Sequence, residues 1–343
     1  EKACDSINQL AGIMSDQQIQ TFYLPLLHRL SSGEWFTSRT SAALLFASVY
    51  EKIPLSMRAD VHSMFVSLCT DETPMVRRAA ARDMSALVKR MSPEVIINEM
   101  LPLYRRLSAD DQDSVRLLTV QNLVAMAEVL SPAETQQLLL SSICGAFQDK
   151  SWRVRYMAAD NFVQLATAVG EDVVKEDLVP AYINLMRDAE AEVRTAAATQ
   201  LPGLAKLLDQ NTIIERLLPV AKELADDPSQ HVRGALAAQV SALAPLLGKD
   251  ATTEHLLPLF LQLLKDEFPE VRLNIISRLE QVNEVIGIDL LSQSLLPAIM
   301  TLAEDKQWRV RQAIIENIPL LAHQLGVEFF DEQLSGLCLS WLG

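Results

Sequence analysis

An aspartate and an arginine six residues apart recur along this chain in the string Asp-x-x-x-x-Val-Arg. The pairs are Asp71 and Arg77, Asp110 and Arg116, Asp149 and Arg155, Asp188 and Arg194, Asp227 and Arg233, Asp266 and Arg272, and Asp305 and Arg311. Opposite charges held at one place in every copy admit two chemistries. The arginines could line up as a basic stripe for a polyanion, or each guanidinium could bond a carboxylate bidentately across the boundary between copies. The net charge of −14 favours the second, because nucleic acid and anionic membranes both demand a basic footprint. These fourteen residues are therefore assigned to a structural ladder that sets the stacking angle between copies.

The elements that must hold such a ladder follow from its period. The motif valine falls at 76, 115, 154, 193, 232, 271 and 310, a constant step of 39 residues. That step marks stacked helical hairpins, each too small to bury its own apolar face, so the expected fold is an all-α HEAT-type solenoid. A degenerate copy lies one step upstream, with Gly33 in place of the aspartate and Ser38-Arg39 in place of Val-Arg. Eight full repeats are expected within one domain, at 18–55, 56–94, 95–133, 134–172, 173–211, 212–250, 251–289 and 290–328. Partial repeats at 1–17 and 329–343 would flank them. The opening phrase Glu1 to Met14 aligns with a second helix and Asp331 to Trp341 with a first helix, so the sequence is expected to be an interior part of a longer array.

Within a repeat, a proline at 25, 102, 180, 219, 258 or 297 should interrupt a backbone hydrogen bond and kink the first helix. It is missing near Met64 and Ser141. The aspartate should then open a short turn and accept bonds from the free N–H groups of the second helix. Gly170, Gly248, Gly287 and Gly326 fall where a left-handed residue would stop that second helix.

Three tryptophans stand apart from this scheme. Trp35, Trp152 and Trp308 all fall in the short turn before the motif valine, and Arg153 and Arg309 directly follow two of them. An exposed tryptophan on a rigid edge is a common anchor for a protein partner; the competing reading is a ring folded over a neighbouring turn. Trp341 reads as ordinary packing. Catalytic patterns are missing: His28, His62, His231, His255 and His323 are scattered, none is followed by Glu, and no HExxH, P-loop or GxGxxG occurs. No cofactor or metal is expected. Cys4, Cys69, Cys144 and Cys338 lie far apart in apolar contexts and read as buried thiols of a reducing compartment. No run approaches the ~18 apolar residues of a membrane span. A soluble, intracellular, non-enzymatic protein is the expectation.

Longer strings narrow the reading. Trp35-Phe-Thr-Ser-Arg-Thr-Ser-Ala42, Asp71-Glu-Thr-Pro-Met-Val-Arg-Arg-Ala-Ala-Ala81, Asp149-Lys-Ser-Trp-Arg-Val-Arg-Tyr-Met157, Pro269-Glu-Val-Arg-Leu-Asn-Ile-Ile276 and Leu325-Gly-Val-Glu-Phe-Phe-Asp331 resemble the scaffold (A) subunit family of protein phosphatase 2A. The resemblance implies a non-catalytic scaffold whose intra-repeat turns form a ridge, with regulatory B-type subunits on one part and the catalytic subunit on the last repeats. It implies regulatory-subunit contacts at Trp35, Pro74, Arg78, Ser151, Trp152 and Arg153. It implies catalytic-subunit contacts at Lys306, Gln307, Trp308 and Arg309, and a cytoplasmic location with the nucleus also open. An importin-β-like transport receptor is the alternative. A HEAT-fold DNA glycosylase would need a basic concave face that the net charge disfavours.

Overall fold

The computed structural model describes residues 2–287, 290–325, 330–331 and 335–342. These are helices and connecting turns, with no strand among the described residues. The chain divides into two compact units, Glu1–Val174 and Lys175–Gly343.

In the first unit the helices are α1 (Lys2–Ile13), α2 (Leu24–Ser31), α3 (Phe36–Ala43), α4 (Leu55–Cys69), α5 (Pro74–Val88), α6 (Leu101–Ser108), α7 (Asp113–Val129), α8 (Pro132–Phe147), α9 (Trp152–Asp160) and α10 (Phe162–Val169). Second helices stack on second helices, α3 on α5, α5 on α7 and α7 on α9. Small buried residues allow this: α5 turns Val76, Ala79, Ala80 and Met84 inward, so neighbouring backbones can approach closely. The first helices supply the bulk, with Phe65, Leu68, Tyr104 and Leu107 all at most 2% exposed.

The second unit repeats the plan with α11 (Val179–Met186), α12 (Ala191–Ala205), α13 (Leu218–Leu224), α14 (Gln230–Gln239), α15 (Ala244–Ala251), α16 (Leu257–Leu264), α17 (Pro269–Ile276), α18 (Leu279–Ile286), α19 (Leu296–Leu302), α20 (Trp308–Leu325) and α21 (Ser335–Leu342). Here α12 packs on α14, α14 on α17, and α17 on α20.

The prolines act differently from the expected kink. Each of Pro25, Pro102, Pro219, Pro258 and Pro297 is the second residue of an α-helix that directly follows a five-residue π-helical turn: Ile19–Tyr23, Ile96–Met100, Ile213–Leu217, Thr252–Leu256 and Leu291–Leu295. The residue before the proline closes the wide ring, as in Leu24 N–H to Ile19 O and Leu101 N–H to Ile96 O. A proline ring strikes the carbonyl four residues back; an extra residue in the preceding turn opens that ring of carbonyls and accommodates it. The first helices α4 and α8, which lack the proline, run without a π turn. Gly170 and Gly287, at φ +90° and +79°, end α10 and α18, and Gly248, at φ +72°, breaks the helical path within α15. Gly326 lies outside the described residues, as does the side chain of Trp341.

Candidate protein-docking turns

The geometry of the Asp-x-x-x-x-Val-Arg string is repeated within each unit. In the first, Arg77 Nε donates to Asp110 Oδ2 at 2.6 Å and its Nη2 to Asp110 Oδ1 at 3.1 Å. Arg116 grips Asp149 the same way, at 2.9 Å for both bonds. In the second unit Arg194 on Asp227 and Arg233 on Asp266 repeat the fork, whereas Arg272 reaches Asp305 through Nη2 alone at 3.0 Å and leaves its buried Nε without a hydrogen-bond partner. The third nitrogen stays at home: Nη1 of Arg77, Arg116, Arg155, Arg194, Arg233, Arg272 and Arg311 donates to the carbonyl of the aspartate in its own motif at 2.6–2.8 Å. One guanidinium thus closes its own turn and, in the pairs above, holds the carboxylate of the next. Arg39 belongs to this set although its copy has lost the aspartate and the valine; it donates to Asp71 at 2.6 and 3.2 Å.

The aspartates bond differently from expectation. Each Oδ1 accepts the backbone N–H two residues on, from Thr73, Gln112, Ser151, Glu190, Ser229, Phe268 or Gln307, at 2.8–3.0 Å. Thr73, Gln112, Ser151, Glu190, Ser229 and Phe268 are themselves the N-cap residues, so the carboxylate fixes the turn into the second helix and does not cap that helix directly. Burial pushes the Asp71, Asp110 and Asp149 carboxyls up, yet the arginine and the backbone N–H outweigh it and leave all three below the usual carboxylate range.

This bracing makes the turns rigid and sets the aromatic residues at the surface. Trp35 is the N-cap of α3 and 72% exposed; Trp152 opens α9 at 36% and Trp308 opens α20 at 59%. Trp152 and Trp308 are therefore first helical residues, one step past the turn in which the sequence places them. Each indole carries the guanidinium of the next residue over its face, Arg153 at 5.6 Å and Arg309 at 5.7 Å. Such a pair is worth about 0.5–1 kcal/mol at an exposed site and presents a cation and an aromatic face together.

Around Trp152, Ser151 Oγ donates to Asp113 Oδ2 at 2.9 Å and Arg153 Nη1 lies 3.7 Å from the same oxygen. Asp113 comes from the preceding repeat and ties the two turns; it occupies the same slot, two before the motif valine, as Trp152. Pro74 and Arg78 are exposed on α5, with Met75 beside them at 56% exposure. In the second unit, Lys306, Gln307, Trp308 and Arg309 are all exposed. The sequence reading placed Arg39 in the degenerate copy without assigning it to the ladder, and it missed Asp113, Met75 and Tyr156, the last 36% exposed one helical turn after Trp152.

Elsewhere, His62 is buried, taking a 2.8 Å hydrogen bond with Tyr50 through Nε2 and an ion-pair contact with Glu99 through Nδ1. Asp83 on α5 has a buried Oδ2 without a hydrogen-bond donor, and burial lifts its carboxyl to about 6, Arg82 offsetting part of this. Cys4 and Cys69 are buried as expected, whereas Cys144 and Cys338 are half-buried: Cys144 lies on α8 between the exposed Ser141 and Gly145. Among the described residues no three His, Cys, Asp or Glu side chains gather as a metal site, and no helix is long and apolar enough to cross a membrane.

Residues 171–248 match the family described as PPP2R1A-like HEAT repeat, residues 139–169 the HEAT repeat, and residues 236–335 the PIK3R4-like middle domain. Over 109 residues the chain is 53% identical to the A-type regulatory subunit of protein phosphatase PP2A from Schizosaccharomyces pombe, covering 32% of this chain and 18% of that protein. It is 50% identical over 104 residues to the protein phosphatase 2A scaffold subunit of Dictyostelium discoideum, covering 30% and 18%. It is 51% identical over 89 residues to the beta isoform of the 65 kDa A-type regulatory subunit of serine/threonine-protein phosphatase 2A from Homo sapiens, covering 26% and 15%. The matched stretches thus span less than a fifth of these relatives. A solved structure of Kap95p, from work on its binding and the switch loops of RanGDP, superposes at TM-score 0.74 over 99% of this chain and 47% of that one, at 15% identity. Importin beta superposes at TM-score 0.68 over 98% and 44%, also at 15% identity. Identity that low speaks for the fold alone. The fold and the 39-residue repeat make the chain an all-α HEAT-repeat solenoid, and parts of it are about half identical to scaffold (A) subunits of protein phosphatase 2A.

Proposed function

We propose that this chain is a non-catalytic scaffold segment that docks other protein subunits on its intra-repeat turns. The observation that carries the reading is the recurring surface pair of an exposed indole under a guanidinium, Trp152 with Arg153 and Trp308 with Arg309, on turns pinned by the Arg–Asp ladder. Rigid aromatic anchors lose little conformational entropy on binding, which is why they dominate interface energetics.

The turns with Trp35, Pro74, Arg78, Ser151, Trp152 and Arg153 are assigned to regulatory B-type subunits, and Lys306, Gln307, Trp308 and Arg309 to the phosphatase catalytic subunit. Support comes from the half-identical relatives and from the exposure of all these residues but Ser151, which is half-buried. The ladder aspartates and arginines are assigned to stability, residues 18–328 to eight consecutive repeats of one array, and the chain to the cytoplasm, with the nucleus also open. The test is titration of purified regulatory and catalytic subunits against the chain. Absence of binding to both, with circular dichroism reporting intact helices, would sink the scaffold reading. The chain should also leave a phosphopeptide intact in the presence of divalent manganese.

A further inference from the structure

Six first helices place a buried leucine at one position of the 39-residue step: Leu68, Leu107, Leu185, Leu224, Leu263 and Leu302, each at most 6% exposed. On α8 that position is Ala146, and the residue before it is Gly145. The missing isobutyl group leaves a crevice of about 190 Å³ between the last turns of α6 and α8 and the first turns of α7 and α9. Cavities of ~150 Å³ left by removing a leucine in other proteins admit a benzene-sized guest. Gly145, exposed on α8, lines the crevice, and a Cβ added there would meet nothing within 4 Å.

The walls define the guest. Tyr104, Ser108, Thr119 and Ser142 bring hydroxyl groups, of which Ser108 and Thr119 already donate to Arg105 O at 3.1 Å and Arg116 O at 2.7 Å and keep acceptor oxygens, and Ala146 and Val154 are apolar. The ionic wall is the Arg116–Asp149 pair, whose charges already satisfy each other at 2.9 Å. A charged guest would enter without a free counter-charge, at a desolvation cost that nothing offsets. An uncharged body with a hydrogen-bonding tip fits. Asp149 and Val154 bracket Lys150 to Arg153, so the crevice lies at the foot of the turn that presents Trp152.

We propose that this crevice is a socket for one uncharged, hydroxyl- or amide-tipped side chain of the protein docked on the Trp152 turn. The assignment rests on the docking reading above and adds to it a pocket that fixes register. It is tested with three variants of the whole chain against a purified regulatory B-type subunit. Ala146→Leu restores the side chain found in six other repeats, and Gly145→Leu adds bulk to the lining from an exposed position. Trp152→Ala removes the anchor but leaves the crevice open.

Filling the socket should weaken binding by roughly tenfold or more, the discrimination expected when a side chain no longer fits its pocket. The melting temperature of Ala146→Leu should stay level or rise. If Trp152→Ala weakens binding while both leucine variants bind as the parent does, the socket is overturned and the docking turn stands. If Trp152→Ala has no effect, the docking reading falls and takes this assignment with it. Should Ala146→Leu fail to fold, Gly145→Leu alone decides.

Discussion

Arg116 and Asp149 face each other as two parallel forks, Nε to Oδ2 and Nη2 to Oδ1 both at 2.9 Å, with the guanidinium 5% and the carboxylate 14% exposed. The remaining nitrogen of Arg116 holds the carbonyl of Asp110 at 2.7 Å, so one side chain links a turn to the turn of the next repeat. A charge-assisted, bidentate bond away from water is where arginine cannot be exchanged for lysine, which offers a point charge and no fork.

Removing that fork strands a largely buried carboxylate. Arg116→Ala is expected to destabilise the chain by about 1–3 kcal/mol, and Arg116→Lys to recover only part of the loss. Urea melts followed by circular dichroism measure it. A lysine variant as stable as the parent would show that charge alone, and not the fork, holds the repeats together.

Four aspartates of the first unit are moved in opposite directions by their surroundings. Asp71, Asp110 and Asp149 are held below the usual range, so their contribution is complete above the unfolded value of ~3.9 and is lost as pH falls through their lower folded values. Asp83 runs the other way. Lifted to about 6 by burial, it binds a proton in the folded chain between about 6 and ~4, where the unfolded chain is still ionised, so stability rises as pH falls through that window. The melting temperature should climb as pH is lowered from neutrality to about 5 and drop below about 4. Asp83→Asn should flatten the climb and keep the drop. A climb that persists undiminished in that variant would assign the acid-side gain to another group.

Gly248 sits at φ +72° and ψ 179°, with open space where a Cβ would go. Gly248→Ala therefore costs backbone strain and no clash, about 1–3 kcal/mol for a conformation that is essentially glycine's alone. Gly145→Ala, within a helix and equally uncrowded, should be neutral or stabilising. Equal effects of the two in thermal melts would contradict a conformational role for Gly248.

What could be read in advance was whatever the 39-residue step repeats. The ladder arginines and aspartates were legible because each appears once per step, and a bidentate pair is the chemistry those two types share. Arg39 was seen in the degenerate copy but left out of the ladder, because that copy dropped the aspartate and the valine while its partner Asp71 belongs to the following copy. The prolines announced an interruption, but a proline names only the bond it cannot make; whether the helix kinks or widens depends on the backbone upstream, where Leu24 bonds Ile19 across a π turn. Asp113 could have been found from its register, since it fills the slot that holds Trp152 one step on. The crevice beside Ala146 is a missing side chain, visible only when the six leucines are set in one column.

The two tryptophan turns separate the two assigned partners within one chain. Trp152→Ala, or Arg153→Glu, should weaken regulatory-subunit binding by about 2 kcal/mol or more, because truncating a desolvated aromatic anchor removes most of the local contact energy. The fold should survive, since Trp152 is among the exposed residues of α9 and the Arg116–Asp149 fork beneath it is untouched. Trp308 stands in the same slot with the same guanidinium over its ring at 5.7 Å, yet its turn is assigned to the catalytic subunit. Trp308→Ala should therefore impair capture of the catalytic subunit and spare direct binding of the regulatory one. Each purified partner is titrated against both variants. Matching losses for both partners in both variants, or no loss in either, would mean that exposure and stacking at these two turns do not mark separate docking sites.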